Sequence, residues 1–303
     1  SWTLTALPLF VWMGEILFRT KLSENLFEGL SPWMQKLPGG LIHVNVVGCA
    51  IFAAISGSSA ATVATVGKMS IPELRKRNYP EKILLGSLAG SGTLGLLIPP
   101  SIILIIYGVT VQESIAKLFI AGIFPGIMIA IIFMTYVVIW SLMNKNKMPV
   151  LTEEIPFIEK IKKSGKLIPV ILLIVSVIGS IYSGVATATE AASLGVVGAL
   201  ILSFFQKSLT IDSFKKSLLG ATKTSCMIGF ILAGSTFLSL AMGFTGLPRN
   251  LAIWIDTMQL SPYILIIVLM IFYIILGMFL DGISAVVLTM AIIEPMIRQA
   301  GFD

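Results

Sequence analysis

Ile83-Leu-Leu-Gly-Ser-Leu-Ala-Gly-Ser-Gly-Thr-Leu-Gly-Leu-Leu-Ile-Pro-Pro-Ser-Ile-Ile-Leu-Ile-Ile-Tyr-Gly-Val109 carries no charged residue. A helix needs about 20 predominantly apolar residues to cross roughly 30 Å of hydrocarbon, and this stretch is long enough. It is not expected to be one continuous helix. Gly86, Gly90, Gly92 and Gly95 weaken it, and Pro99-Pro100 removes two backbone donors and crowds the preceding turn. Unwound backbone at membrane depth is tolerated only where it is buried in protein or lines a cavity. The stretch is therefore read as two helix halves around a break, with the break as a candidate site wall.

The rest of the chain agrees with a bilayer as its solvent. Of 303 residues, 56% are hydrophobic and 12% charged, whereas soluble domains carry about 25% charged residues. Further apolar segments run approximately from Trp2 to Phe18, Leu41 to Ile55, Leu118 to Met143, Leu167 to Tyr182, Val185 to Phe205, Cys226 to Phe244 and Tyr263 to Leu280. A β-barrel would alternate apolar and polar over about ten residues per strand, but Ile127 to Met143 and Leu167 to Ile181 are almost continuously apolar. The fold class expected is an all-α polytopic membrane protein. The stretches Leu22 to Leu30 and Leu247 to Ile255 are too polar to span yet apolar at helical spacing. They read as interfacial helices or as arms linking two membrane bodies.

Net charge is +6, and most of the basic residues sit in connecting loops, where the positive-inside bias and anionic lipid account for them; no nucleic-acid partner is called for. Lys145, Lys147, Lys160, Lys162, Lys163 and Lys166 mark the loop from Asn144 to Lys166 as cytoplasmic, and Arg75-Lys76-Arg77 marks a second cytoplasmic turn. Cys49 and Cys226 fall inside apolar stretches and read as small core hydrophobes. The apolar start at Ser1 and the end at Asp303, soon after a hairpin-like stretch, suggest a fragment at both ends.

A weak internal repeat is visible. Gly57-Ser-Ser-Ala-Ala-Thr-Val-Ala-Thr65 with Pro72 can be laid over Gly282-Ile-Ser-Ala-Val-Val-Leu-Thr289 with Pro295, and Trp33 with its following apolar run over Trp254 with its own. Paired broken segments in corresponding places of two halves are a pointer to a transporter binding site. The division expected is a first repeat over 1–150, with an arm helix at about 20–37, a hairpin at about 41–72 and the broken helix at about 83–109. The second repeat covers 151–303, with an arm at about 247–259, a hairpin at about 263–297 and no final broken helix.

Ala6-Leu-Pro-Leu-Phe10 with Gly14-Glu15, Leu37-Pro-Gly-Gly40, Ile55-Ser-Gly-Ser-Ser-Ala-Ala-Thr62, Thr93-Leu-Gly-Leu-Leu-Ile-Pro-Pro-Ser101, Ile106-Tyr-Gly108, Ser114-Ile115 with Leu118-Phe119, Ala121-Gly-Ile-Phe-Pro-Gly126, Thr189-Glu-Ala-Ala192 and Phe279-Leu-Asp-Gly282 follow one another along essentially the whole chain. In this order they resemble the large membrane subunit, DctM type, of tripartite ATP-independent periplasmic (TRAP) transporters. The resemblance implies an elevator-type fold with inverted repeats, two helical hairpins and broken helices, and a bacterial inner-membrane location. It implies a small four-helix membrane subunit and a periplasmic substrate-binding protein as partners. It also implies sodium-driven uptake of an organic anion such as a sialic acid, a C4-dicarboxylate or a similar carboxylate. In that family a membrane helix or two would precede Ser1, and a second proline-rich broken helix would follow Asp303.

Sodium prefers oxygen ligands, which unwound carbonyls and Ser or Thr hydroxyls supply. Ser58, Ser59 and Thr62 at the first hairpin tip, facing Gly92, Thr93 and Gly95, would make one cage, and the resemblance places the family's first sodium site there. The bland alternative is that these small residues only permit close helix packing. Asp281 ends a nearly uncharged run and would ligate sodium, with Gly282 at the same tip, or carry a proton, or organise the second hairpin tip with Gly282, Ser284 and Thr289; the bland alternative is that it caps the following helix at the water interface. Glu190 is a similar functional candidate, or a helix cap, since it has the spacing of a capping box with Thr187. Pro99-Pro100-Ser101 is expected to start a helix half whose N-terminal end attracts a carboxylate. His43, the one histidine, receives no role, and Glu15 and Lys223 pair within the protein or meet head groups.

With a single histidine, no HExxH and no phosphate loop, an enzyme is not expected, and no cofactor beyond sodium as coupling ion. The competing readings are a stand-alone sodium/dicarboxylate symporter of related fold, and a channel or scaffold.

Overall fold

The computed structural model describes residues 2–149, 156–246, 250, 253 and 261–301. Every regular element among them is helical, and the apolar helices identify a polytopic membrane protein of the all-α class. In chain order the helices are α1 (Ala6–Phe18), α2 (Leu22–Met34), α3 (His43–Ser56), α4 (Ser59–Lys76), α5 (Glu81–Gly92), α6 (Ile102–Val111) and α7 (Ile115–Met143). There follow α8 (Phe157–Ser164), α9 (Ile168–Tyr182), α10 (Ala188–Phe205), α11 (Ile211–Thr245), α12 (Pro262–Gly277) and α13 (Gly282–Gln299). Among the described residues four helical stretches are long and apolar enough to cross a membrane: Ile115–Met143, Phe157–Tyr182 (α8 continued by α9), Ala188–Phe205 and Ile211–Thr245.

Their outer faces show what surrounds them. Phe124 on α7 is 76% exposed and Phe244 on α11 is 93% exposed, with Ile131, Ile139 and Leu172 also open. Water would penalise each such side chain by about 1.5–3 kcal/mol, whereas lipid tails would not.

Helix ends follow local chemistry. Thr187 caps α10 and Glu190 reaches back to it, completing the capping box. Ser261 precedes Pro262 and caps α12, and Ser114 caps α7. The span that sequence places at Cys226 to Phe244 is the C-terminal part of α11, which starts at Ile211 because Thr210 and Ser213 exchange cap hydrogen bonds there. Of the second arm, about 247–259, all but residues 250 and 253 lie outside the described residues.

The chain divides into two compact units. One comprises Ser1–Ile105 and Ser114–Thr222. Its core holds Phe52, Leu41, Ile42, Leu84, Leu94 and Phe119 at full burial. Buried amides and hydroxyls tie its helices together, as is usual where lipid supplies no hydrophobic drive between them. Asn45 on α3 donates to Leu84 O (3.2 Å) and Ser87 Oγ (3.0 Å) on α5. The other unit comprises Ile106–Glu113 and Lys223–Asp303. Within it, Ser235 of α11 donates to the carbonyl of Val287 (2.7 Å), and Tyr273 Oη lies 2.6 Å from Thr289 Oγ1.

Candidate functional site

The tip of the α3–α4 hairpin is a two-residue connection. Gly57 closes α3 in the left-handed region (φ 57°), where a side chain is strained, and a Cβ there would lie 2.8 Å from Pro100 O. Its own carbonyl accepts the amide of Ile102 (3.3 Å). The hairpin tip is thereby stitched to the break between α5 and α6.

Ser58 is extended and caps α4, its hydroxyl accepting a long hydrogen bond from Ala61 N (3.5 Å). Its carbonyl accepts from Thr62 Oγ1 (2.7 Å), Thr62 N (3.0 Å) and Ser56 Oγ (3.2 Å). Ser56 Oγ also lies 2.8 Å from Thr62 Oγ1. Thr62 is completely buried. Gly95 rests directly on this group: a Cβ at Gly95 would be 2.7 Å from Ser58 O and 2.8 Å from Thr62 Oγ1. Two side-chain oxygens, Ser56 Oγ and Thr62 Oγ1, therefore meet the Ser58 carbonyl, and Gly95 packs on the group so closely that a methyl group there would clash. These are hard oxygen donors throughout, the type that sodium prefers.

The other expected members are distributed as follows. Ser59 is the first residue of α4, half-buried. Gly92, buried, packs on the side chain of Val63 of α4. Thr93 is exposed, and its hydroxyl donates to Gly90 O (2.6 Å) in its own chain turn. Pro99 and Pro100 are buried and joined by a cis peptide bond. Ser101 departs from expectation. The helix half begins at Ile102, and the buried Ser101 hydroxyl donates across the break to Leu96 O (2.5 Å) instead of capping α6. The sequence pattern missed Ser56, although it lies inside the quoted Ile55–Thr62 motif. It also missed Gly122 of α7, whose Cβ position lies 2.8 Å from Leu97 O, so that α7 seats the break from behind.

In the second unit Asp281 is exposed and caps α13, with Oδ2 accepting from Ile283 N (3.1 Å) and Ser284 N (3.3 Å). Gly282 is the first residue of that helix, and Ser284 is half-buried. Thr289 Oγ1 donates to Ala285 O (2.7 Å) and meets Tyr273, a residue no sequence pattern singled out. The two hairpins are built alike: each second helix opens at a capping residue, Ser58 in one and Asp281 in the other. Pairing these caps also pairs Pro72 with Pro295, and it moves the expected register of Gly57 on Gly282 by two residues.

Elsewhere, His43 is buried with Nε2 2.8 Å from Pro38 O, and Glu15 pairs with Arg19 (3.0 Å). Cys49 is buried as expected, but Cys226, expected as a core hydrophobe, is exposed on α11. No group of three or more His, Cys, Asp or Glu side chains able to hold a metal occurs among the described residues.

The model of the family described as "Tripartite ATP-independent periplasmic transporter, DctM component" matches residues 1–303. The C4-dicarboxylate TRAP transporter large permease protein DctM of Pseudomonas aeruginosa is 33% identical over all of this chain and 70% of its own length. The 2,3-diketo-L-gulonate TRAP transporter large permease protein YiaN of Escherichia coli is 32% identical over all of this chain and 71% of its own. The isethionate TRAP transporter permease protein DctMQ of Oleidesulfovibrio alaskensis is 30% identical over all of this chain and 48% of its own.

Proposed function

Because the chain belongs to the DctM family of tripartite ATP-independent periplasmic transporters, and so is a transporter permease subunit and not an enzyme, we propose that it carries an organic anion inward at the expense of a sodium gradient. The observation that carries the sodium assignment is the oxygen cluster of Ser56, Ser58 and Thr62 closed by the α-carbon of Gly95. The anionic substrate is supported by the names of three relatives, which are C4-dicarboxylate, 2,3-diketo-L-gulonate and isethionate transporters. Each of those molecules bears an acid group. A sialic acid fits the same description.

The partners follow from the tripartite family: a small membrane subunit and a periplasmic binding protein that delivers the substrate in the bacterial inner membrane. The name DctMQ on one relative supports the first. In this proposal the two hairpins belong to two inverted repeats, Asp281 and Gly282 hold a second sodium ion, and the hairpins travel together as an elevator.

Each net positive charge carried inward gains about 2.3 kcal/mol per 100 mV of membrane potential, so a few sodium ions suffice to concentrate an anion. The test is uptake of a radiolabelled dicarboxylate into proteoliposomes holding the full-length transporter and its partners. Uptake is expected with an inward sodium gradient and lost when potassium replaces sodium. Undiminished uptake in potassium overturns the coupling, and uptake without the binding protein would favour a stand-alone symporter.

A further inference from the structure

The strongest unassigned feature is α8, which lies one turn before the apolar helix α9 and is not accounted for by the transport site. It runs antiparallel along α2. At one end Lys166 pairs with Glu28, Ser164 Oγ donates to Gly29 O (3.3 Å), and the Leu167 side chain covers Gly29. At the other end Trp33 packs edge-on against Phe157, with ring centroids 6.1 Å apart, and takes Lys160 over its face at 5.8 Å. The Trp33 indole donates to Ser164 Oγ (2.7 Å).

With one side so occupied, α8 still exposes Phe157 (65%), Ile158 (82%) and Ile161 (53%). The basic groups stand beside these apolar side chains. Lys163 is paired with Glu159 of the same helix at 3.7 Å, but Lys162 is exposed with no acid partner among the described residues. Over 144–166 the chain carries six lysines against three glutamates. Large exposed apolar side chains next to the unpaired ammonium of Lys162, a single turn from a membrane span, have the chemistry of a helix seated in an anionic headgroup layer. There the apolar side chains enter the acyl boundary and the lysines meet phosphates. Water would penalise the first group, and a neutral protein surface would leave the second unpaired.

We propose that α8 and Trp33 form a docking surface for anionic phospholipid, and that the Trp33–Lys160 and Trp33–Ser164 contacts hold this surface against α2. This does not depend on sodium coupling or on the identity of the substrate.

The test uses the full-length protein in vesicles of phosphatidylcholine carrying brominated phosphatidylglycerol or brominated phosphatidylcholine. The quenching of Trp33 is obtained by difference from Trp33→Phe. Phosphatidylglycerol is expected to quench in preference to phosphatidylcholine. Lys162→Gln should reduce that preference about fivefold at low ionic strength, the equivalent of about 1 kcal/mol for one lysine at an anionic surface. Ile158→Asp should weaken quenching by both lipids. Equal quenching by the two lipids, an unchanged preference in Lys162→Gln, or loss of lipid quenching when the small subunit is present would each overturn the proposal; the last result would make this face a protein interface.

Discussion

Gly95 lies against Ser58 so closely that a Cβ on the glycine would stand 2.7 Å from the serine carbonyl oxygen. That carbonyl already accepts from Ser56 Oγ and Thr62 Oγ1. The contact joins the tip of the first hairpin to the break between α5 and α6.

Gly95→Ala is therefore expected to push the hairpin tip off the break. Overpacking of this kind costs about 1–3 kcal/mol, and sodium-driven uptake should fall at least tenfold with a raised sodium concentration for half-maximal rate. Gly86→Ala, where a Cβ meets nothing within 4 Å, is the matched control and should transport normally. Equal activity of the two variants would remove Gly95 from the site.

Ser58→Ala and Thr93→Ala separate a ligand from a bystander. Ser58 caps α4, whereas the Thr93 hydroxyl is bound to Gly90 O and exposed. Ser58→Ala should raise the sodium requirement more than Thr93→Ala does, with melting temperatures of both within a few degrees of the parent. The reverse order would move the site toward Thr93.

Asp281 serves two roles that different substitutions separate. Asn retains the capping oxygen, and Ala loses it at about 1 kcal/mol. If the carboxylate also balances a cation, Asp281→Asn should fold like the parent and lose sodium-driven uptake. A pure cap predicts normal uptake in Asp281→Asn and a lowered melting temperature in Asp281→Ala only. Uptake and thermal unfolding of the two variants decide between them.

At the turn after α4, the Arg75 guanidinium hydrogen-bonds Glu81 and holds its carboxyl below the ordinary value of 4.5. A depressed carboxylate contributes stability that is complete above its unfolded value and is lost as pH falls through its folded value. The melting difference between parent and Glu81→Gln should therefore be present at neutral pH and vanish in acid. It should also shrink with added salt, since both partners are about half exposed. A difference that grows in acid would contradict the assigned pair.

Asn45 donates from α3 to Leu84 O and Ser87 Oγ of α5. Asn45→Ala should lower thermal stability by about 1–2 kcal/mol, read as a shifted melting curve in detergent. An unchanged curve would mean that the Ser87 hydroxyl, 3.0 Å from Leu84 O, satisfies that carbonyl alone.

The sequence by itself determined the solvent, the helical class and the place of the break. Uninterrupted apolar runs admit only helices whose backbone is satisfied internally, and Pro99-Pro100 cannot continue a helix whatever surrounds it, whereas Gly86, Gly90 and Gly92 are accommodated in α5. It also determined the capping box of Thr187 and Glu190, which needs only residues three apart. What lay beyond it depended on contacts between residues distant in the chain. That Gly95 closes on Ser58 and Thr62, that Thr93 turns back to Gly90, that Ser101 binds Leu96 across the break and that Tyr273 reaches Thr289 are outcomes of packing. A small or hydroxylated side chain is compatible with several partners, and only the approach of another helix selects one. Cys226 shows the same limit. Its apolar setting suggested a core position, but which face of α11 meets protein is decided by the neighbours of that helix and not by its composition.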